Sequence, residues 1–81
     1  MKATNLKVQI QRDEKIVVDL KFPIFVLNSL EAFIPDKAFQ YLERSNIDLK
    51  LILKNVEDSN FAPQTILEFD HEERHFKIWI E

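Results

Sequence analysis

The segment from Pro63 to Glu81 alternates as a β-hairpin does, and that alternation constrains the rest of the chain. Leu67 and Phe69 share parity with Phe76, Ile78 and Ile80, which makes one apolar face. Reversing the chain at Glu72 and Glu73 sets Phe69 opposite Phe76, Leu67 opposite Ile78 and Thr65 opposite Ile80. The same register sets Glu68 opposite Lys77 and Ile66 opposite Trp79, so an opposite-charge pair and an apolar pair coincide on the other face. Ile66 and Trp79 are therefore expected to point away from the core, where something should cover them.

A second hairpin opens the chain. Leu6, Val8 and Ile10 alternate with polar residues, as do Val18, Leu20 and Phe22. Bringing the two apolar sets to one face pairs Ile10 with Val18, Val8 with Leu20 and Leu6 with Phe22, leaving Asp13, Glu14 and Lys15 as a three-residue loop. Between the hairpins the period changes. Val26, Leu27, Leu30, Phe33 and Ile34 fill one arc of a helix bounded by Pro23 and Pro35, with Phe25 outside the arc. Asp36 is placed to cap a second helix carrying Ala38, Phe39 and Leu42, and Asn46 to end it in the left-handed conformation. Asp48 is placed to cap a third, with Leu49, Ile52, Leu53 and Val56 on one side.

The fold class that follows is α+β in the order ββαααββ: a four-stranded antiparallel sheet of two hairpins, with three short helices packed on one face. The opposite face then carries Lys7, Gln9, Gln11, Asp19, Lys21, Glu68 and Lys77 around an apolar island of Val17, Ile66 and Trp79.

Eighty-one residues suit a single domain spanning 1–81. Such a chain buries only about 60% of its unfolded surface, and without cysteine it gains nothing from disulfides or thiolate zinc. Its stability must come from packing, for which 46% hydrophobic residues and seven phenylalanines are ample. Net charge is −3 with both signs interspersed, which disfavours a polyanion-binding surface. No run reaches the ~20 apolar residues of a membrane span, and no signal peptide is visible, so a cytoplasmic protein is expected. The chain has no glycine, which excludes the phosphate-cradling loops of nucleotide-binding motifs.

Two histidines, His71 and His75, stand four apart beside Asp70, Glu72 and Glu73. On a helix that spacing would suit a metal; on a hairpin it sets His75 opposite Asp70 and leaves His71 in the loop, so no metal or other cofactor is expected. Ser29, Ser45 and Ser59 sit in helix faces or helix ends rather than on a nucleophile elbow, and no catalytic residues are assigned.

The opening hairpin, the apolar helix ending Phe33-Ile34-Pro35, the helix start Ile47-Asp48-Leu49 and the closing Ile78-Trp79-Ile80-Glu81 together resemble a small bacterial module of cell-envelope stress proteins of the YvlB and LiaX kind, described as SHOCT-like. Asn46 stands where that family usually has glycine. Members often carry a further β-rich, adhesin-like domain. The resemblance implies an interaction or regulatory module linked to envelope stress, with no recognised catalytic residues.

The leading expectation is a non-enzymatic, self-associating protein-interaction module, a homodimer or a partner of another protein, with Trp79, Ile66, Val17 and Phe25 as candidate interface residues. One alternative is a binder of amphipathic peptides or membrane surfaces through the apolar residues of Pro23–Pro35. Another is single-stranded nucleic acid on the outer sheet face, although that face offers one aromatic and mixed charge.

Overall fold

The computed structural model describes residues 2–81, apart from the side chains of Glu31 and Phe33. Four strands, β1 (Asn5–Arg12), β2 (Lys15–Pro23), β3 (Gln64–His71) and β4 (Arg74–Ile80), form one antiparallel sheet in the order β2-β1-β4-β3. Between the hairpins lie a 3-10 helix over Ile24–Phe33 and two α-helices, α1 (Asp36–Arg44) and α2 (Leu49–Asp58). The α+β class and the ββαααββ order are as the periodicities require. The first and last strands meet at the centre, where Asn5 and Glu81 exchange both backbone hydrogen bonds at 3.0 Å.

One core fills the space between sheet and helices. Leu6, Val8, Leu67, Phe69, Phe76, Ile78 and Ile80 are buried from the sheet, and Leu27, Leu30, Ile34, Ala38, Leu42, Leu49 and Val56 from the helical layer. Phe69 and Phe76 face each other across β3 and β4 with ring centroids 4.8 Å apart.

Both hairpins depart from simple alternation in the same manner. In the first, the expected three-residue loop is a two-residue turn, Asp13 (φ 52°) and Glu14 (φ 64°), with Arg12 paired to Lys15. Two left-handed residues give the turn a twist that matches the flanking strands. The surplus residue is taken up by a bulge at Val17, since Ile10 pairs with Val18 and Gln11 with Ile16. In the second hairpin the turn is at Glu72–Glu73 as expected, and Phe69–Phe76, Leu67–Ile78, Glu68–Lys77 and Asp70–His75 all pair as expected. Beyond Leu67 the register shifts, so that Thr65 faces Trp79 and Gln64 faces Ile80. Ile66 is the bulged residue. It turns inward beside Leu67 and is 6% exposed, which corrects its expected place on the outer face. Burying an isoleucine contributes about 1.5–3 kcal/mol, more than the ~1 kcal/mol of a disrupted ladder hydrogen bond.

The helical layer differs in two details. The first helix is 3-10 and kinks at Ser29 (φ −113°, ψ 25°). In that geometry residues three apart line one side, which brings Ile24, Leu27 and Leu30 onto the core, with Phe25 outside as expected. The expected place of Phe33 on the apolar arc lies outside the described residues. Asp36 does not cap α1: Pro35 occupies the cap position, without a side-chain cap hydrogen bond, and Asp36 is the first helical residue. Asn46 does adopt the left-handed conformation (φ 60°), and the Ile47 N–H closes the helix end on the Leu42 carbonyl at 3.0 Å. Asp48 caps α2, its carboxylate accepting from the Leu51 N–H at 3.2 Å.

Candidate interaction surface

Parity puts Lys7, Gln9, Asp19, Lys21, Glu68, Lys77 and Trp79 on the outer face of the sheet, and the structure joins several of them. Trp79 lies on central strand β4, level with Lys7 of β1 and Thr65 of β3. The ammonium of Lys77 sits 5.2 Å from its ring centroid and that of Lys7 6.0 Å away, so the indole is flanked by two cations and is partly buried. Lys7 also reaches Asp19 at 3.4 Å.

The two histidines lie on opposite sides of the sheet. His75 faces outward between two carboxylates, with Nδ1 2.7 Å from Asp70 and Nε2 2.8 Å from Glu68. Hydrogen bonds to Asp70 first and Glu68 second favour the imidazolium, which can donate from both nitrogens, and raise its pKa above the ordinary 6.5. His71 ends β3 rather than lying in the loop, paired with Arg74. Its ring stands 5.4 Å from that of Tyr41 on α1, and its Nε2 is 3.7 Å from Glu72.

Of the exposed large apolar side chains among the described residues, Tyr41 and Leu51 stand apart on α1 and α2, and the other four gather on or beside β2. Ile16 (55% exposed), Val17 (54%) and Leu20 (43%) all lie on β2, an edge strand, and Phe25 (71%) follows two residues after it. Of the four residues singled out in the sequence, Val17 and Phe25 are exposed, Trp79 is partly covered by its own lysines, and Ile66 is in the core. The four are not brought together. Val17 bulges out between Ile16, level with Gln11, and Val18, level with Ile10, near one end of the sheet, whereas Trp79 is level with Lys7 toward the other. Ile16 and Leu20 were not anticipated. Leu20 has the parity of the inner face, but the helical layer packs on β1 and β3 and leaves β2 largely open.

Fold and surface together define a small α+β module whose most conspicuous surface feature is an apolar sheet edge. The chain belongs to the family described as YvlB-like protein, C-terminal domain, which it matches over residues 4–80. No curated protein and no solved structure gives a significant match. Among the described residues, no helix is long and apolar enough to cross a membrane.

Proposed function

We propose that this chain is a non-enzymatic, cytoplasmic protein-interaction module that associates with itself and serves a bacterial envelope-stress response. The observation that carries self-association is the gathering of Ile16, Val17 and Leu20 on one edge strand, with Phe25 just beyond it. Edge strands are ordinarily blunted by charge and kept short of apolar side chains, because their free backbone groups invite pairing. The envelope-stress part rests on the family resemblance alone. Among the described apolar side chains between Pro23 and Pro35, Leu27, Leu30 and Ile34 are buried in the core and Phe25 is the most exposed, so of these an amphipathic peptide or membrane would chiefly meet Phe25. On the outer face, lysines alternate with Asp19, Glu68 and Asp70, which disfavours a nucleic-acid backbone.

Sedimentation equilibrium across a dilution series tests the proposal. A dimer that dissociates on dilution is expected; a monomer at every concentration up to several hundred micromolar would sink it. Abundance of the protein after treatment with a cell-wall antibiotic tests the stress link, and an unchanged level would remove it.

A further inference from the structure

We infer that two copies of this chain pair through β2, antiparallel, about a two-fold axis at Leu20, making one continuous sheet across the dimer. This rests on the self-association proposed above and assigns it a surface and a register.

The backbone limits the choice. The Ile24 N–H donates to the Thr4 carbonyl at 3.1 Å, while Asn5 and Glu81 bond each other, so even-numbered β1 residues bond β2 and odd-numbered ones bond β4. By the same alternation Val18, Leu20 and Phe22 bond β1, and Asp19 and Lys21 turn their N–H and C=O groups to the free edge. An antiparallel partner must align odd residues with odd, so a symmetric pair can be centred only on a residue, not between two.

The bulge at Val17 interrupts the regular alternation there, which rules out an axis on Val17, and charge selects among the residues beyond it. An axis at Asp19 sets that carboxylate against its own copy. An axis at Lys21 does the same with two ammoniums, and one at Val18 sets Lys15 against the partner's Lys21. An axis at Leu20 instead sets Asp19 against the partner's Lys21, and by symmetry Lys21 against the partner's Asp19. It also stacks Leu20 on the partner's Leu20 and Val18 on the partner's Phe22 along the under-covered inner face. Within one chain Lys21 lies directly opposite Lys7, a like-charge pair, and no acidic side chain among the described residues lies within ion-pair distance of it. The partner's Asp19 supplies that missing counter-charge. Pro23, which has no N–H, falls opposite the partner's Val17 at the end of the paired segment, where its lack costs least.

The test uses the whole chain. Asp19→Lys and Lys21→Asp should each weaken the dimer at least about tenfold, and the double exchange should restore it to within about threefold, a recovery expected of an oppositely charged pair. Because the chain has no cysteine, Leu20→Cys introduces a single thiol. At a non-hydrogen-bonded pair the Cα atoms are ~4.5 Å apart, within disulfide range, so mild oxidation should give a covalent dimer. Thr65→Cys on the opposite edge strand should not. Circular dichroism of each variant checks that the fold is retained, and if a charge reversal unfolds the chain the cross-link alone decides. A wild-type dimer in which the exchange fails to restore affinity, or Leu20→Cys fails to cross-link, overturns this register and leaves self-association standing. A monomeric wild type overturns both.

Discussion

Both hairpins reverse through two acidic residues in the left-handed region and both carry a bulge in their outer arm, yet one arm is core and the other is surface. In β3 the bulge swings Ile66 inward, and the strand contributes Ile66, Leu67 and Phe69 to the buried set. In β2, despite the same kind of bulge at Val17, Ile16, Val17 and Leu20 are about half exposed. The local geometry is shared, so the difference arises from what lies above the sheet. A single 3-10 helix and two short α-helices span β1, β4 and β3, and are not broad enough to cover a fourth strand. Apolar pattern records which face a side chain takes. It does not record whether anything reaches that face.

The two bulged residues should differ most in what their truncation costs. Ile66→Ala should cost about 2–4 kcal/mol in urea denaturation, as a buried isoleucine, against under about 0.5 kcal/mol for Val17→Ala. Equal losses would mean that the two strands are packed alike. Trp79→Ala should be intermediate, about 1 kcal/mol, with the fold retained, because the indole is partly buried on the outer face beside the ammoniums of Lys7 and Lys77 rather than in the core; outright unfolding would place it among the core residues.

The two turns share one geometry and should respond alike to substitution. Glu14 (φ 64°) and Glu73 (φ 65°) occupy equivalent left-handed positions for which glycine is the favoured residue. Glu14→Gly and Glu73→Gly should each stabilise the protein by about 0.5–1 kcal/mol and by similar amounts, read from thermal midpoints. Unequal gains would show that the turns differ as well as their surroundings.

The smallest effect is the pH dependence of the second hairpin. His75 has a folded pKa above its ordinary 6.5, so its stabilising contribution is fully present below that value and is lost as pH rises through the raised one. Solvent screening of this exposed cluster keeps the effect small. The stability difference between wild type and His75→Gln should therefore be larger at about pH 5.5 than at about pH 8.5; the opposite trend would mean that the Asp70 and Glu68 hydrogen bonds do not favour the imidazolium.

The strands, the pairing of Leu6, Val8 and Ile10 with Phe22, Leu20 and Val18 and of Leu67 to Asp70 with Ile78 to His75, and the capping roles of Asn46 and Asp48 were legible because each follows from a residue's own chemistry or from period-two alternation. The bulges were not, since alternation is blind to one inserted residue. Their trace was nonetheless present as runs of adjacent apolar residues, Ile66-Leu67 and Ile16-Val17-Val18, which a strict inward-outward pattern cannot place. The 3-10 form of the first helix was hidden because Ile24, Leu27 and Leu30 satisfy a period of three about as well as one of 3.6. Of the candidate surface, the exposure of Val17 and Phe25 is legible in the sequence, Trp79 is partly buried, Ile66 lies on the other face, and the exposure of Leu20 is not legible because it depends on the width of the helical layer.

The meeting of β1 and β4 at the centre of the sheet also bears on how the chain reaches its fold. Each hairpin closes a short loop and can form early on its own, whereas the pairing of Asn5 with Glu81 closes nearly the entire chain. The two hairpins are thus marginal pieces waiting on one long-range event, and on a nascent chain that event cannot occur until Ile80 has cleared the ribosome. Until then the edges of β1 and β4 that will pair with each other stand open, and the interval before they meet is when this chain is most exposed to pairing with the wrong strand.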